Sequence, residues 1–98
     1  MERKEREKLY KKAVEKWGED SQLDQLVEEM AELTVAINKY KRAKNSIAQK
    51  KDGVMENLFE EIADVKMCIE ELEWMFGKEN VDNIFDTKLQ KFIGQLNE

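Results

Sequence analysis

The sequence predicts an all-α protein: a single domain over residues 1–98 that folds as a bundle of four helices. The 98 residues contain no proline and only four glycines, which disfavours many-stranded folds with tight turns. Apolar residues recur at intervals of three and four along four segments, which is the spacing of amphipathic helices. A chain this short buries only about 60–65% of its unfolded surface, so we expect dimerisation to complete the bundle.

The first helix is predicted from about Glu2 to Trp17, and Gly18 ends it because glycine readily takes the left-handed conformation. Its apolar stripe is Leu9, Tyr10, Ala13, Val14 and Trp17. The first eight residues have no apolar partner, so we expect them to fray into solvent.

The second helix is predicted to begin with Asp20 or Ser21 as its cap and to run to Lys41 or Arg42. Its stripe is Leu23, Leu26, Val27, Met30, Leu33, Thr34, Ile37 and Tyr40. Polar residues and an Asp-Gly turn signal then interrupt the pattern, and residues 43–53 are predicted to form a mobile loop.

The third helix is predicted over Val54 to Phe76, closed by Gly77, and the fourth over Val81 to Leu96, capped by Asn80. The stripe of the third is Met55, Leu58, Phe59, Ile62, Val65, Ile69, Leu72 and Phe76. The seam of the fourth is Val81, Ile84, Phe85, Leu89, Phe92 and Leu96.

Composition excludes several kinds of site. The chain has no histidine and one cysteine, so it has no Ser-His-Asp triad, no histidine-ligated metal and no internal disulfide. It lacks both a run of about 20 apolar residues and the apolar core of a secretory signal, so we expect a cytoplasmic protein without a membrane partner, with Cys68 as a packed, reduced thiol. A net charge of −5 counts against nucleic acid as a partner.

Four of the 22 acidic residues stand out on helical wheels. At about 100° per residue, Glu61 lies near 300° from Leu58, at the edge of the apolar arc, and Asp64 lies beside it. On the second helix, Glu29 flanks the apolar stripe and Glu32 lies one turn further on. Each pair therefore places two carboxylates on one patch of helix surface.

Four carboxylates that meet between two packed helices would repel one another, and a cation must offset that repulsion. An all-oxygen donor set suits Mg²⁺, with Mn²⁺ as a second possibility, and the absence of Glu-x-x-His motifs argues against a ferritin-like di-iron site. The alternative is that the four are rim residues neutralised by lysine or arginine, because a Glu-rich helix produces E-x-x-E by chance.

The order of these residues resembles a known family. Glu29-Met-Ala-Glu32 on one helix and Glu61-Ile-Ala-Asp64 on the next look like the E-x-x-E…E-x-x-D arrangement of the MazG-like all-α nucleoside triphosphate pyrophosphohydrolases, in particular their small phage and bacterial members. Trp17-Gly18 before the first motif is also similar. The resemblance covers about residues 14–96.

The resemblance implies a MazG-like bundle and a Mg²⁺-dependent hydrolase that cleaves the α–β phosphate bond of an NTP or dNTP, giving a monophosphate and pyrophosphate. It implies that Glu29, Glu32, Glu61 and Asp64 hold the metal. We assign Glu32 to orient or deprotonate the attacking water, with Glu61 as the second catalytic carboxylate. Homodimers or dimers of dimers are also implied.

Other residues are candidates for the substrate. Lys39 and Arg42 after the first motif, Lys50 and Lys51 in the loop and Lys88 on the fourth helix could bind phosphates, although each is also an ordinary surface charge. Aromatic candidates for stacking on the base are Trp17, Phe59 and Trp74; core packing is favoured for Phe59, and the wheel places Trp74 on an outer face that suits a subunit interface. Asn57 and Asn83 could contact the base or sugar.

Two other functions stay open at this point. One is a non-catalytic helical oligomerisation or interaction module, in which the four acids do no chemistry. The other is a nucleic-acid-binding helical protein, which the acidic charge disfavours.

Overall fold

The computed structural model describes residues 1–45 and 52–98 of the chain. The four helices are α1 (Arg3–Trp17), α2 (Glu19–Asn45), α3 (Val54–Phe76) and α4 (Lys78–Leu96). No strand occurs in these ranges, so the predicted all-α class with four helices is confirmed. No helix in the described part of the chain is both long and apolar enough to cross a bilayer.

Gly18 ends α1 and Gly77 ends α3, as predicted, and each glycine is the single residue between two helices. Gly18 has φ +90° and its N–H donates to the Val14 carbonyl (2.8 Å), and Gly77 has φ +108° and donates to the Glu73 carbonyl (2.8 Å). Left-handed backbone of this kind favours glycine. Each glycine alone turns the chain, so the next helix begins at the following residue.

Two predicted helix starts are therefore wrong. We expected Asp20 or Ser21 to cap α2 and Asn80 to cap α4, but α2 begins at Glu19 and α4 at Lys78. No side chain caps α4, because the residue before it is glycine. Turn residues need not lie between two helices when a positive-φ glycine makes the bend.

The predicted start of the loop at residue 43 is wrong, whereas its predicted end at residue 53 is confirmed. α2 continues to Asn45 rather than ending at Lys41 or Arg42, with Ala43 buried. Asp52 and Gly53 form a turn, as the sequence predicted, and α3 follows directly. The remaining part of the predicted loop, with Lys50 and Lys51, lies outside the described residues.

Ion pairs tie the start of α1 to α3. Arg6 binds the Glu70 carboxylate through two guanidinium nitrogens, and Arg3 donates to Glu73 (3.2 Å). The Tyr10 hydroxyl donates to Glu70 (2.8 Å), and Tyr10 is the buried residue of α1. The expected fraying of the first eight residues stays a prediction. In the structure the chain is helical from Arg3, and Arg3 and Arg6 bind carboxylates of α3.

The Glu70 carboxylate accepts hydrogen bonds from both Arg6 and Tyr10 in this contact. Its hydrogen bonds from Arg6 lower its pKa to about 2, while burial and the bond to Glu70 raise the pKa of Tyr10 to about 12. A carboxylate whose folded pKa lies below its ordinary 4.5 stabilises the protein above pH 4.5 and loses that contribution as the pH falls toward 2.

We predict that Glu70→Gln lowers the free energy of unfolding by about 1 kcal/mol at pH 7, the value for a partly screened ion-pair network. The difference in free energy of unfolding between the wild type and the variant should shrink between pH 4.5 and 2, where the wild-type carboxylate becomes protonated. Urea unfolding across this pH range measures it, with the exposed Glu60→Gln as control. A deficit that does not change with pH would show that the loss is one of packing.

The helices α2 and α3 pack side by side, α1 lies against both, and within the described residues α4 contacts α3 alone. In the described ranges, the buried residues are Tyr10, Leu26, Ala36, Ala43 and Val65. On α2, the buried alanines lie on the same side as Glu29, whereas Met30 and Ile37 of the predicted stripe are exposed. The face of α2 that packs against α3 is therefore rotated about the helix axis, away from the centre of the predicted stripe and toward the carboxylates.

A large apolar surface stays uncovered. It runs along α3 and α4, and we call it the exposed apolar surface. Its residues are Phe59, Ile62, Ile69, Phe76, Ile84, Phe85, Leu89, Phe92 and Leu96. We expected core packing for Phe59, but it is 60% exposed, and the predicted core seam of α4 contains no buried residue. The radius of gyration is 17.0 Å, against about 13 Å for a compact chain of this length. The four helices do not close a bundle within one chain.

Candidate metal centre

The two predicted half-motifs meet between α2 and α3. Glu29 and Glu32 lie one turn apart on α2, and Glu61 and Asp64 lie one turn apart on α3. One carboxylate oxygen of each lies within 4.8 Å of those of the other three. Glu32 is exposed and the other three are half-buried. The prediction that these four acids form one cluster is confirmed.

The cluster lacks compensating charge within the described residues. The ion pairs there involve none of the four acids, and one oxygen each of Glu29 and Glu61 is buried without a hydrogen-bond partner. Burial, and next the charge of Glu32, raise the pKa of both Glu29 and Glu61. Burying carboxylate oxygens that face other carboxylates lowers the stability of the fold unless a cation binds them.

The donor set fits a hard divalent cation. Four carboxylates supply oxygen ligands alone, which is the preference of Mg²⁺ and Mn²⁺. Cys68 lies one turn after Asp64 but outside the cluster, and burial raises the pKa of its thiol to about 11. A protonated thiol is a poor ligand, so Cys68 adds no soft donor at neutral pH.

Two cavities are bordered by members of the cluster. A cavity of about 280 Å³ is bordered by Glu32 and Glu61 together with Lys39 and Asn57. A cleft of about 580 Å³ lies between α1, α2 and α3, with Glu29 and Asp64 in its wall. The rest of that wall is mainly apolar and aromatic, with polar groups at a few points. It consists of Met1, Arg6, Leu9, Tyr10, Ala13, Trp17, Gln22, Gln25, Met67, Cys68 and Glu71.

The structure brings some of the predicted substrate residues to the cluster. Lys39 and Asn57 border the smaller cavity beside Glu32 and Glu61. Trp17 borders the larger cleft and is 57% exposed, with the ammonium of Lys16 5.1 Å from its ring centre. These placements are compatible with the predicted roles, which stay predictions.

Other candidates lie elsewhere. Arg42 is exposed and borders neither cavity of the cluster. Lys88 borders a different cavity, formed by Phe76 and the first turns of α4, and α4 does not contact α2. Trp74 is half-buried rather than on an open face, and Asn83 is exposed on α4. Within one chain, none of these four residues borders either cavity beside the acids.

Sequence reasoning missed the part that α1 plays in the cleft. Arg6 and Tyr10 border it, and neither was a candidate residue. Tyr10 and Trp17 are seven residues apart, which is two helical turns, so a wheel of α1 places them on one side. That shared face is the signal that would have found the cleft.

No protein-family model matches the chain, and neither a curated protein nor a solved structure is detectably similar to it. The fold and site therefore define its class by themselves. Over residues 1–45 and 52–98, this is an all-helical protein of four helices with a cluster of four acidic residues that could hold a metal ion.

Proposed function

We propose that the chain is a Mg²⁺-dependent nucleotide pyrophosphohydrolase that cleaves the α–β phosphate bond of an NTP or dNTP. The observation that carries this is the cluster itself: four carboxylate oxygens on adjacent helices within 4.8 Å, without a cationic side chain bound to them in the described residues. A divalent cation would relieve the repulsion in such a cluster, and polyphosphates are recognised through divalent cations.

The surroundings of the cluster support a nucleotide as the substrate. The cleft of about 580 Å³ lies in the range of small-molecule pockets, roughly 300–1,000 Å³. It combines an aromatic side chain at its edge with amide and carboxylate groups of Gln22, Gln25 and Glu71 that suit the hydrogen-bonding edge of a base. The smaller cavity, bordered by Glu32 and Glu61, offers Lys39 to phosphate oxygens.

Each acidic residue has a role in this proposal. All four would hold Mg²⁺ or Mn²⁺, with Glu29, Glu61 and Asp64 as the half-buried ligands, and the bound ion would neutralise the polyphosphate. Glu32, the exposed member, orients a water molecule and accepts its proton. The water oxygen bonds to the α phosphorus, the bond to the bridging oxygen breaks, and pyrophosphate leaves as the monophosphate forms.

The direct experiment is a product assay. We expect the protein with Mg²⁺ to convert at least one member of a panel of NTPs and dNTPs into the monophosphate and pyrophosphate in equal amounts. Release of inorganic phosphate and a diphosphate instead, or equal pyrophosphate release in EDTA, would contradict the proposal.

Trp17 is predicted to stack on the base. We expect Trp17→Ala to raise KM about 5- to 150-fold with little change in kcat, because base stacking contributes about 1–3 kcal/mol per base. Trp17→Phe should restore most of the affinity. If Trp17→Ala lowers kcat at unchanged KM, the ring does not bind the base.

A second candidate is a non-catalytic helical oligomerisation or interaction module, which the exposed apolar surface favours. It predicts that Mg²⁺ does not stabilise the protein. A homodimer or a dimer of dimers is also part of the catalytic proposal, so oligomerisation alone does not separate the two candidates; turnover and metal binding do.

A further inference from the structure

A second polar pair lies in the wall of the larger cleft, two helical turns from the acidic cluster. Gln22 precedes Glu29 by seven residues on α2, and Glu71 follows Asp64 by seven residues on α3. All four side chains border the cleft of about 580 Å³. Because seven residues make two helical turns, Gln22 and Glu71 repeat the register in which Glu29 and Asp64 meet.

Gln22 orients the carboxylate of Glu71. With its amide nitrogen turned toward Glu71, Gln22 donates to the two carboxylate oxygens at 2.9 and 3.3 Å. The ion pairs of residues 1–45 and 52–98 do not include Glu71, and burial raises the pKa of this half-buried carboxyl group. Two carboxylate oxygens offer about four acceptor sites, of which one amide nitrogen fills at most two. Acceptor sites therefore remain for a ligand in the cleft.

The position of Glu71 suits contact with the edge of a base. Two helical turns place it about 10 Å along α3 from Asp64. A sugar and a base can span that gap when the phosphates lie at the acidic cluster. Trp17 borders the same cleft and offers its ring to the face of the base, so the carboxylate is left to meet the edge.

A carboxylate distinguishes the bases by the hydrogen-bond donors on their edges, because when ionised it accepts hydrogen bonds and donates none. Guanine presents two donors side by side, the ring N1–H and the amino group at C2, and the two oxygens of a carboxylate can accept both. Adenine and cytosine place one amino group beside a ring nitrogen whose lone pair repels the second oxygen. Uracil and thymine place one N–H between two carbonyl oxygens.

We propose that Glu71, oriented by Gln22, determines base specificity, and that the nucleotide bound in this cleft carries guanine. The preference rests on the proposed function, since the phosphates must lie at the acidic cluster for the base to reach Glu71.

The test measures binding without turnover, by isothermal titration calorimetry of the full chain with Mg²⁺. The probes are the 5′-monophosphates GMP, IMP, AMP, CMP and UMP and their deoxy forms. IMP differs from GMP only in lacking the amino group at C2. We expect GMP or dGMP to bind about 5- to 150-fold tighter than the matching inosine nucleotide, because the missing donor leaves a half-buried carboxylate oxygen unpaired. The adenine, cytosine and uracil nucleotides should bind at least about 5-fold more weakly than the guanine nucleotide.

Glu71→Gln keeps the shape of the side chain and replaces one acceptor oxygen by a donor. We expect the variant to lose the preference for GMP over IMP, whereas Glu60→Gln, the same change at an exposed position of α3 outside the cleft, should keep the wild-type ratio of the two Kd values. The ratio is the informative readout, because a general disturbance of the cleft would weaken both nucleotides equally.

A wild type that binds GMP no tighter than IMP would overturn the proposal. So would the absence of binding by all of these nucleotides, or a Glu71→Gln protein that keeps the wild-type ratio. Pyrophosphate release without a preference for guanine would remove the base assignment and leave the catalytic proposal standing. A preference for GMP without pyrophosphate release from any triphosphate would support the base assignment and contradict the catalytic proposal.

Discussion

Glu61→Gln is expected to lower pyrophosphate release from a nucleoside triphosphate by about 10²–10³-fold, the range for the loss of a preorganised charged group in an active site. The substitution keeps the shape of the side chain and removes its charge. It also removes one member of a like-charged cluster whose buried oxygen has no partner. In EDTA the variant should therefore melt at the same temperature as the wild type or higher, so a loss of turnover would not reflect unfolding.

The neighbouring residue provides the control for this prediction. Glu60 is exposed and lies outside the cluster, so Glu60→Gln should keep wild-type turnover. Steady-state kinetics and thermal melts of the three proteins separate the alternatives. Equal turnover by Glu61→Gln and the wild type would remove Glu61 from the catalytic machinery.

Mg²⁺ is expected to stabilise the folded protein strongly. With a Kd of about 0.1 mM, 10 mM Mg²⁺ adds about 2.7 kcal/mol to the free energy of unfolding by mass action. For a domain of this size that raises Tm by roughly 10–20 °C. The physical reason is that the ion relieves repulsion among four carboxylates whose oxygens lie within 4.8 Å.

Two controls make this melting experiment specific. NaCl at matched ionic strength should raise Tm far less, because it screens the charges without coordinating them. Glu29→Gln should lose most of the Mg²⁺ response, whereas Glu28→Gln, an exposed neighbour outside the cluster, should keep it. The same small shift in all three proteins would mean that Mg²⁺ acts as a screening salt.

The sequence predicted the elements and the cluster because both depend on local spacing. Glycines at positions 18 and 77 ended helices by their backbone freedom, and the i, i+3 spacing of Glu29 with Glu32 and of Glu61 with Asp64 placed each pair on one helix face. Two packed helices then brought the pairs together. None of these steps required knowledge of distant contacts.

Packing between helices was less predictable. A helical wheel finds the most apolar direction of a helix, but α2 presents Ala36, Ala43 and Glu29 to its neighbour while Met30 and Ile37 remain exposed. A stripe that stays exposed within the chain and a stripe buried in the core look the same in sequence. For the same reason the α4 seam looked like core.

The most direct measurement is a crystal structure of the protein with Mn²⁺ and a triphosphate that resists α–β hydrolysis. We predict an anomalous peak among the carboxylates of Glu29, Glu32, Glu61 and Asp64, with the phosphates beside it and the base in the cleft next to Trp17. A well-ordered cluster without a metal peak, its carboxylates bound instead by lysine or arginine side chains, would contradict the metal-centred account.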